Sequence, residues 1–170
     1  MHPYRTHHCD ELRLSDVDSP ARLSGWVHSK RDHGNLLFVD LRDENGLTQC
    51  VIDVSSALFD TIEAVRVESV LTITGKVVKR TDDTINPALP TGEVELTMDE
   101  VIVESPADVL PMQVAGSEDF GEETRLRYRY IDLRRPQMAD VLRLRHKTVK
   151  FIRDFLDERD FLEVETPILI

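Results

Sequence analysis

The stretch that decides the fold runs from Gly25 to Asp43 and reads G-W-V-H-S-K-R-D-H-G-N-L-L-F-V-D-L-R-D. It predicts two strands joined by a short basic turn. In the second strand, apolar residues occupy positions 37, 39 and 41, whereas positions 36, 38 and 40 point to the opposite face of the sheet. If the first set packs in a core, Phe38 lies on the opposite, accessible face.

The position of Phe38 bears on function. On the accessible face its ring would lie beside the cationic side chains of Lys30, Arg31 and Arg42. An unpaired nucleobase stacks on an aromatic ring that is flanked by cations in this way. A phenylalanine in a strand is more often a core residue, so the pattern alone leaves both interpretations open.

The composition limits the class of protein. The chain has 170 residues, of which 41% are hydrophobic, enough for one domain or for a small domain and part of a second. No run approaches the roughly 18 apolar residues of a membrane span, and the N-terminus lacks the pattern of a signal peptide. Cys9 and Cys50 lie far apart without a zinc-binding spacing, so we expect no metal, reduced thiols and a cytoplasmic location.

The charge is unevenly distributed along the chain. The formal net charge is −11, and residues 1–105 carry 10 Lys and Arg against 19 Asp and Glu. Residues 125–153 instead carry 10 Lys and Arg against Asp132 and Asp140. The acidic majority argues against attraction of a nucleic acid by the whole chain, so any RNA contact is expected to be local. The basic segment is either a solvated helix face or part of such a contact.

Five strand-like segments precede the basic segment, and one helical pattern lies among them. Residues 56–67 have the apolar spacing of a helix and fall between the third and fourth strands. Gly46 closes a hairpin signal, and Gly75 indicates a bulge or a sharp bend. This order is that of an OB-fold, a small five-stranded Greek-key barrel whose ligands bind on strands two and three and the flanking loops. The strand segments are residues 20–31, 35–43, 47–53, 70–79 and 93–104.

A connector and a second region follow. Proline and glycine residues between 106 and 121 indicate the connector, and apolar spacing from Met138 to about Arg159 predicts a helix. Asp160 stands where the residue after a helix takes a left-handed conformation, and the last ten residues predict a strand that Pro167 interrupts. A long helix and one strand cannot bury their apolar faces alone. We therefore expect the chain to be the N-terminal part of a longer protein.

Several segments, in their order and spacing, resemble the N-terminal part of bacterial-type aspartyl-tRNA synthetases, which are class II aminoacyl-tRNA synthetases. The resemblance covers essentially all 170 residues. It implies an anticodon-binding OB domain over residues 1–105, a hinge over 106–136 and the start of a class II catalytic domain over 137–170. The segments that carry it are R-T-H-H-C at 5–9, G-W-V-H-S-K-R-D-H-G at 25–34, L-F-V-D-L-R-D at 37–43, Gln49, T-G-E-V-E at 91–95, R-Y-R-Y-I-D-L-R-R-P at 127–136 and F-L-E-V-E-T-P at 161–167.

The resemblance also implies which side chains bind the anticodon. Phe38 matches the ring that stacks on the central base, and Gln49 matches the side chain that reads this base by hydrogen bonding. Arg31 matches a phosphate- or base-contacting arginine in the turn, and Glu95 matches a glutamate that reads an anticodon edge. These residue types suit unstacked loop bases, whose faces stack on rings and whose edges bond to amides and carboxylates.

Further residues are assigned by the same resemblance. Asn86 and Arg80 match neighbouring loop contacts of the anticodon. His33 matches a histidine that often accompanies recognition of both aspartate and asparagine tRNAs. Asp18 and Asp160 stand where glycine is common in the family, which implies strained or altered turns.

The C-terminal helix and the segment at 161–167 resemble motif 1 of class II synthetases, with Pro167 as its characteristic proline. In that family the motif builds the homodimer interface and is not itself catalytic. The motifs that bind ATP and complete the active site are absent from the sequence, so we expect no catalytic residue and no cofactor in this chain. For the longer parent, the resemblance implies an aspartate–tRNA ligase that uses ATP and Mg²⁺, forms a homodimer and binds a tRNA with a G-U-C anticodon.

Three alternatives remain at this stage. A stand-alone OB-fold protein that binds single-stranded nucleic acid would need several exposed aromatic rings along one groove, whereas Trp26 is expected in the core. A related asparaginyl or lysyl synthetase shares the same architecture. An interaction module without enzymatic activity could associate through the apolar face of the C-terminal helix.

Overall fold

The computed structural model describes residues 3–167, which separate into two units between Leu110 and Pro111. Alternating apolar residues build a sheet in the first unit, and a long helix dominates the second. Among the described residues, no helix is long and apolar enough to cross a membrane.

Among residues 3–167, six strands form the sheet, and the predicted helix lies between the third and the fourth. The first four strands and this helix confirm the segments that apolar spacing predicts. A short 3-10 turn precedes them at Leu14–Asp16. The elements are β1 (Pro20–Asp32), β2 (Leu36–Arg42), β3 (Leu47–Asp53), α1 (Phe59–Ala64), β4 (Val70–Lys79), β5 (Val94–Thr97) and β6 (Glu100–Ser105).

The pairings between the strands close the sheet on itself. β2 pairs antiparallel with β1 and β3, β5 pairs parallel with β3 and antiparallel with β4, and β4 returns to pair with β1. Alternate residues of each strand point inward and form one apolar core. This ring, with α1 between β3 and β4, has the topology of the predicted OB-fold. Fully buried core residues include Leu12, Leu23, Val39, Leu41, Ile62, Leu71, Ile73 and Leu96.

The prediction of one fifth strand over residues 93–104 is wrong, because this segment forms two strands. β5 pairs with the end of β4, whereas β6 pairs with its beginning. Between them, the N–H of Met98 donates to the carbonyl of Val51 in β3 at 3.0 Å. The N–H of Asp99 then donates to the carbonyl of Thr74 in β4 at 2.9 Å. The backbone changes its partner at this point, so the sheet has six strands instead of five.

Gly75 lies where β5 ends against β4. A Cβ atom at Gly75 would lie 1.5 Å from the carbonyl oxygen of Thr97, so only a residue without a side chain permits this approach. The Thr97 hydroxyl also donates to the carbonyl of Lys76 at 3.0 Å. The signal that predicted a bulge or a bend therefore marks a close contact between two backbones.

A β-bulge interrupts β1. Val27 pairs with Leu41 of β2. The next pair joins Ser29 to Asp40, so His28 is an extra residue on β1. Side chains in a strand change face at every step, and the bulge therefore shifts the alternation by one residue. Odd-numbered residues of β1 point into the core before the bulge, and even-numbered residues point to that side after it.

The bulge corrects the predicted position of Lys30, which does not lie beside Phe38. Lys30 opposes the core residue Val39. Its ammonium donates to the carbonyls of Ile62 at 3.3 Å and Glu63 at 2.7 Å, at the C-terminal end of α1. Cations stabilise the last carbonyls of a helix, while burial lowers the pKa of the Lys30 ammonium. Lys30 therefore secures α1 beneath the sheet.

Asp43 holds the predicted hairpin turn between β2 and β3. Its Oδ1 accepts the N–H of Asn45 at 2.8 Å and the N–H of Gly46 at 3.0 Å. Its Oδ2 contacts the N–H of Cys9 and Nδ1 of His8, each at 3.0 Å. Burial alone would raise the pKa of Asp43, but these donors outweigh it and lower the pKa below its ordinary value. The carboxylate thus joins the turn to the N-terminal segment.

The described part of the second unit, residues 111–167, contains three helices, of which the longest confirms the predicted one. Two short helices lie in the predicted connector. Asp132 is fully buried and accepts hydrogen bonds from Arg125 at 3.0 Å and from Arg129. A buried carboxylate needs such partners, so the two arginines hold the short helices together. The elements are α2 (Glu122–Arg127), α3 (Arg129–Asp132) and α4 (Pro136–Asp157).

The C-terminal end of α4 closes as the sequence predicts. Asp160 has φ +61°, and the N–H of Phe161 donates to the carbonyl of Leu156 at 3.1 Å. The N–H of Asp160 donates to the carbonyl of Asp157 at 3.0 Å, which completes the usual termination with a left-handed residue. Asp18 is likewise left-handed, with φ +70°. Aspartate tolerates this conformation better than most residues.

The strand predicted over the last ten residues is wrong for 161–167, which form no regular element. A strand requires a pairing neighbour, and none of the described residues pairs with this segment. Glu163 instead forms an ion pair with Arg153 of α4 at 2.8 Å. The predicted strand's last three residues, 168–170, lie outside the described part of the chain.

Substitution of Gly75 by alanine is expected to destabilise the first unit by about 3 kcal/mol or more, because the new methyl group overlaps the Thr97 carbonyl. Chemical denaturation measures the loss. The control is Gly34→Ala, whose site has open space and a left-handed φ of +81° and which is expected to cost about 1 kcal/mol. Equal effects of the two substitutions would contradict the close contact.

Substitution of Asp43 by asparagine is expected to reduce the unfolding free energy at pH 7 by about 1–3 kcal/mol. Because the folded pKa of Asp43 is lowered, its stabilisation is present at neutral pH and is lost as the pH falls through that folded value. Urea unfolding between pH 7 and pH 3 should therefore show a shallower pH dependence for the variant than for the wild type. Asp60→Asn, at an exposed position in α1, should keep the wild-type slope.

Candidate nucleic-acid interface

The outer face of β1, β2 and β3 carries three of the predicted anticodon residues, Arg31, Phe38 and Gln49. Residues directly opposite each other on paired strands share a face, and Phe38 opposes both Arg31 of β1 and Val51 of β3. The same register sets Asp40 opposite Gln49. These five side chains point away from the core, because their neighbours at 37, 39, 50 and 52 belong to it. Of the two interpretations of Phe38, the accessible face is the one observed.

The half-buried ring of Phe38 has an aromatic and a cationic neighbour. His33 meets it edge-on, with ring centroids 5.4 Å apart and an angle of 87° between the planes. His33 lies in the turn between β1 and β2, where its N–H donates to the carbonyl of Leu36 at 2.9 Å. The Arg31 side chain beside the ring is 49% exposed. A ring and an accessible guanidinium in this arrangement form a platform on which a base can stack.

A continuous row of polar contacts crosses the strands next to Phe38. Nη2 of Arg31 donates to Oδ1 of Asp40 and to Oε1 of Gln49, each at 2.9 Å. Nε2 of Gln49 donates to Oε2 of Glu95 in β5 at 2.8 Å. Nε of Arg80 lies 3.5 Å from the same Glu95 oxygen. Cations and carboxylates thus alternate along this contact row, with the Gln49 amide at its centre.

Arg80 joins the contact row to the loop at residues 81–92. Its side chain is only 4% exposed, and Nη1 donates to the carbonyl of Thr84 at 3.1 Å and contacts that of Gly92 at 3.4 Å. Asn86 lies in this loop, and its N–H donates to the Gly92 carbonyl at 3.1 Å. The loop is therefore organised around the buried guanidinium.

The structure thus brings most of the predicted site residues together. Phe38, Gln49, Glu95 and Arg31 are contiguous on the outer face, although Arg31 lies in β1 and not in the predicted turn. His33, Arg80 and Asn86 border this set as described above. Pro167 belongs to the second unit, where it is exposed.

The expectation that Trp26 belongs to the core is wrong. Trp26 precedes the bulge on the outer face of β1, opposite Arg42, and is half-buried. The Arg42 guanidinium lies over its ring, 5.9 Å from the centroid. Arg42 is itself held by Glu68 at 2.8 Å. One side of this ring is therefore covered by a cation that is paired within the protein.

Sequence reasoning missed the two residues that anchor Arg31. Asp40, although it lies on the outer face, is 7% exposed as a whole residue. Its Oδ2 accepts the hydroxyl of Ser29 at 2.6 Å. The alternation of apolar residues correctly predicts that Asp40 lies on the outer face, but it does not predict that Asp40 is buried there. No pattern in the polar run from His28 to Asp32 indicates that the bulge turns Ser29 toward it.

The described residues contain no cluster of His, Cys, Asp and Glu side chains that could hold a metal ion. Cys9 and Cys50 are free and buried, and burial raises the pKa of both thiols. The outer face instead offers a ring for stacking, a guanidinium, and amide and carboxylate groups for hydrogen bonds. These are the groups that recognise unpaired bases.

Comparison with protein families divides the chain in two. Residues 21–104 match the OB-fold nucleic acid binding domain. Residues 121–170 match the tRNA synthetases of class II for D, K and N.

Curated relatives match the chain over nearly its whole length. Over 169 residues, or 99% of the chain, it is 56% identical to the aspartate–tRNA(Asp/Asn) ligases of Paramagnetospirillum magneticum and Acidiphilium cryptum. The chain spans 19% of the length of the first relative and 28% of the second.

Solved structures support the fold. The chain superposes with a TM-score of 0.84 on a putative aspartyl-tRNA synthetase from Leishmania major, at 22% identity over 98% of this chain and 36% of the other. The asparaginyl-tRNA synthetase from Pyrococcus horikoshii gives 0.80, at 23% identity over 96% of this chain and 37% of the other. With 56% identity to the bacterial ligases over 99% of its length and matches to both family models, the chain is similar to the N-terminal part of the bacterial-type aspartyl-tRNA synthetases of class II.

Proposed function

We propose that this chain binds the anticodon loop of an aspartate tRNA through the outer face of β1, β2 and β3. The observation that carries the proposal is the half-buried ring of Phe38 at the edge of the contact row from Asp40 to Arg80. Unstacked loop bases need both a ring to stack on and polar groups to read their edges. The net negative charge of the chain fits a local contact of this kind.

Each side chain of the site that is at least partly accessible takes one part of the recognition. Phe38 stacks on the central anticodon base, and Gln49 bonds to the edge of that base. Arg31, with its half-exposed guanidinium, contacts a base or a phosphate. Glu95 accepts a hydrogen bond from a base amino group and adds selectivity, because a carboxylate repels phosphate.

Arg80 is buried, so its role differs from the direct anticodon contact that the resemblance implies. Its side chain reaches Glu95 and the carbonyls of the loop at 81–92, and little of it is accessible. Arg80 therefore positions Glu95 and shapes the loop. Asn86 is exposed on that loop and is the loop residue that contacts the anticodon.

A second tRNA is also a candidate substrate. The names of the curated relatives specify both aspartate and asparagine tRNAs. The edge-on contact between His33 and Phe38 places a histidine beside the proposed stacking site. We propose that the site accepts both the G-U-C and the G-U-U anticodon, which share the first two bases.

The longer proteins to which the chain is similar suggest its wider context. We propose an anticodon domain over residues 1–105, a connector over 106–136 and the start of a catalytic domain at 137. The complete enzyme attaches aspartate to tRNA in the cytoplasm with ATP and Mg²⁺ and forms a homodimer through α4 and Pro167. The exposed apolar side chains of α4 support such an interface, and they include Val141, Leu144, Phe151, Ile152 and Phe155.

Binding without sequence preference is the less favoured function. It requires several accessible rings along one groove. Trp26 shares the outer face with Phe38, but the Arg42 guanidinium covers one side of its ring. The side chains of the contact row favour the reading of base edges over stacking alone.

Substitution of Phe38 by alanine is expected to weaken binding of a G-U-C anticodon stem-loop by about 1–3 kcal/mol, the usual contribution of one stacked base. Fluorescence anisotropy with a labelled stem-loop measures the affinity. Leu36→Ala removes an exposed apolar side chain from the same face of β2 and should leave binding unchanged. Equal affinity of the wild type and the Phe38 variant would contradict stacking.

The same assay tests the choice of loop. The wild type should prefer G-U-C and G-U-U loops over a scrambled loop, and indifference to sequence would favour the binding of any single strand.

Substitution of Arg80 by methionine is expected to loosen the loop at 81–92, because it removes the donor that holds two loop carbonyls. Amide hydrogen exchange of Asn86, Leu89 and Gly92 should accelerate roughly tenfold or more. The neighbouring Lys79→Met, whose exposed ammonium lies 3.8 Å from Asp82, is the matched control and should leave these amides protected. Unchanged exchange in the Arg80 variant would show that the guanidinium does not organise the loop.

A further inference from the structure

Asp40 begins the contact row and is held on both of its oxygens. Its side chain is 10% exposed. Oδ2 accepts the hydroxyl of Ser29 at 2.6 Å, and Oδ1 accepts Nη2 of Arg31 at 2.9 Å. A carboxylate that is nearly buried and bonded in this way has little freedom to move. It therefore fixes one end of an otherwise half-exposed guanidinium.

The held guanidinium determines the orientation of the Gln49 amide. Oε1 of Gln49 faces Arg31 at 2.9 Å, and Nε2 faces Glu95 at 2.8 Å. A glutamine amide turned by half a rotation would set its NH₂ group against the guanidinium and its oxygen against the carboxylate. Both contacts would be repulsive. The two charged neighbours thus fix the direction in which the amide presents its donor and its acceptor.

A fixed amide can distinguish two bases that a freely turning amide cannot. Uracil presents a carbonyl acceptor at position 4 and an N–H donor at position 3, whereas cytosine presents an amino donor and a ring-nitrogen acceptor at the same places. A glutamine that turns freely matches either edge, because its two ends exchange roles. With its direction fixed, the amide matches only one of the two edges for a base stacked on Phe38.

We propose that Asp40, assisted by Ser29, is a positioning residue that fixes the direction of the Gln49 amide through Arg31 and so makes the site choose uracil over cytosine at the central anticodon position. This inference rests on the proposed function, which places that base on Phe38. Asp40 itself does not touch the RNA. Its effect lies in the ratio of two affinities and not in affinity as such.

The test compares two stem-loops, G-U-C and G-C-C, with the wild-type chain and with Asp40→Asn. The wild type should bind the uracil loop more tightly. In the variant the ratio of the two affinities should fall about tenfold, the value of one charge-assisted hydrogen bond. The uracil loop should bind less tightly and the cytosine loop more tightly than in the wild type, because Arg31 then no longer holds the amide oxygen and only Glu95 still orients the amide. A merely structural role would weaken both loops by the same factor.

Further variants keep the test independent of folding. Arg31→Ala should lose the same discrimination, and Asp40→Asn should add nothing further in that background. Ser29→Ala removes one of the two Asp40 bonds and should lower the ratio about twofold to threefold. Asp53→Asn is the matched control, since this exposed carboxylate at the end of β3 bonds to Ser55 outside the contact row.

The outcomes separate this inference from the proposed function. If the wild type prefers the uracil loop and all of the Asp40, Arg31 and Ser29 variants keep that preference, the positioning role is overturned and anticodon binding stands. If the wild type does not distinguish the two loops, the proposed reading by Gln49 fails, and the positioning role fails with it.

Discussion

The bulge at His28 is the constraint on which the outer face depends. A strand without it would continue the alternation of Val27, and both Ser29 and Arg31 would point toward the core. Arg31 would then be a buried cation without the partners that it has on the outer face. Lys30 would leave the carbonyls at the end of α1. The extra residue His28 therefore lets Arg31 and Lys30 reach their hydrogen-bond partners on opposite faces of the sheet.

The site also depends on the close contact between Gly75 and Thr97, because this contact sets the end of β5 against β4. Glu95 reaches Gln49 only where β5 lies beside β3, in the short parallel pairing that includes Cys50 and Leu96. A hairpin alone would supply Phe38 and Gln49 but no carboxylate beside the amide. The site is thus assembled from two local hairpin strands and one strand that is distant in sequence.

Local chemistry explains what could be predicted from the sequence. Apolar alternation located β1 to β4, helical spacing located α1 and α4, and the left-handed tendency of aspartate located the turn at Asp160. The accessible face of Phe38 also followed from alternation. The assignments of Gln49, Glu95 and Arg31 came from the resemblance to a family, because neither spacing nor composition distinguishes them from other surface residues.

Properties that depend on distant contacts could not be predicted in the same way. The division of the fifth strand depends on Met98 and Asp99 finding different partners across the sheet. The bulge lies in a run where all side chains are polar, so neither phase of alternation is favoured. The burial of Arg80 depends on the fold of the loop around it. These features arise when the sheet closes on itself, and no local sequence pattern predicts that closure.

The contact row has balanced charge, which fits the RNA contact proposed for an acidic protein. Asp40 and Glu95 offset Arg31 and Arg80, so the row carries no excess of positive charge that would attract phosphate over a distance. Its members are already bonded to one another before a base arrives, which limits the entropy lost on binding. Such a site contributes discrimination more than affinity. A rigid, electrically balanced sheet face of this kind is therefore better suited to distinguishing between bases than to attracting RNA from a distance.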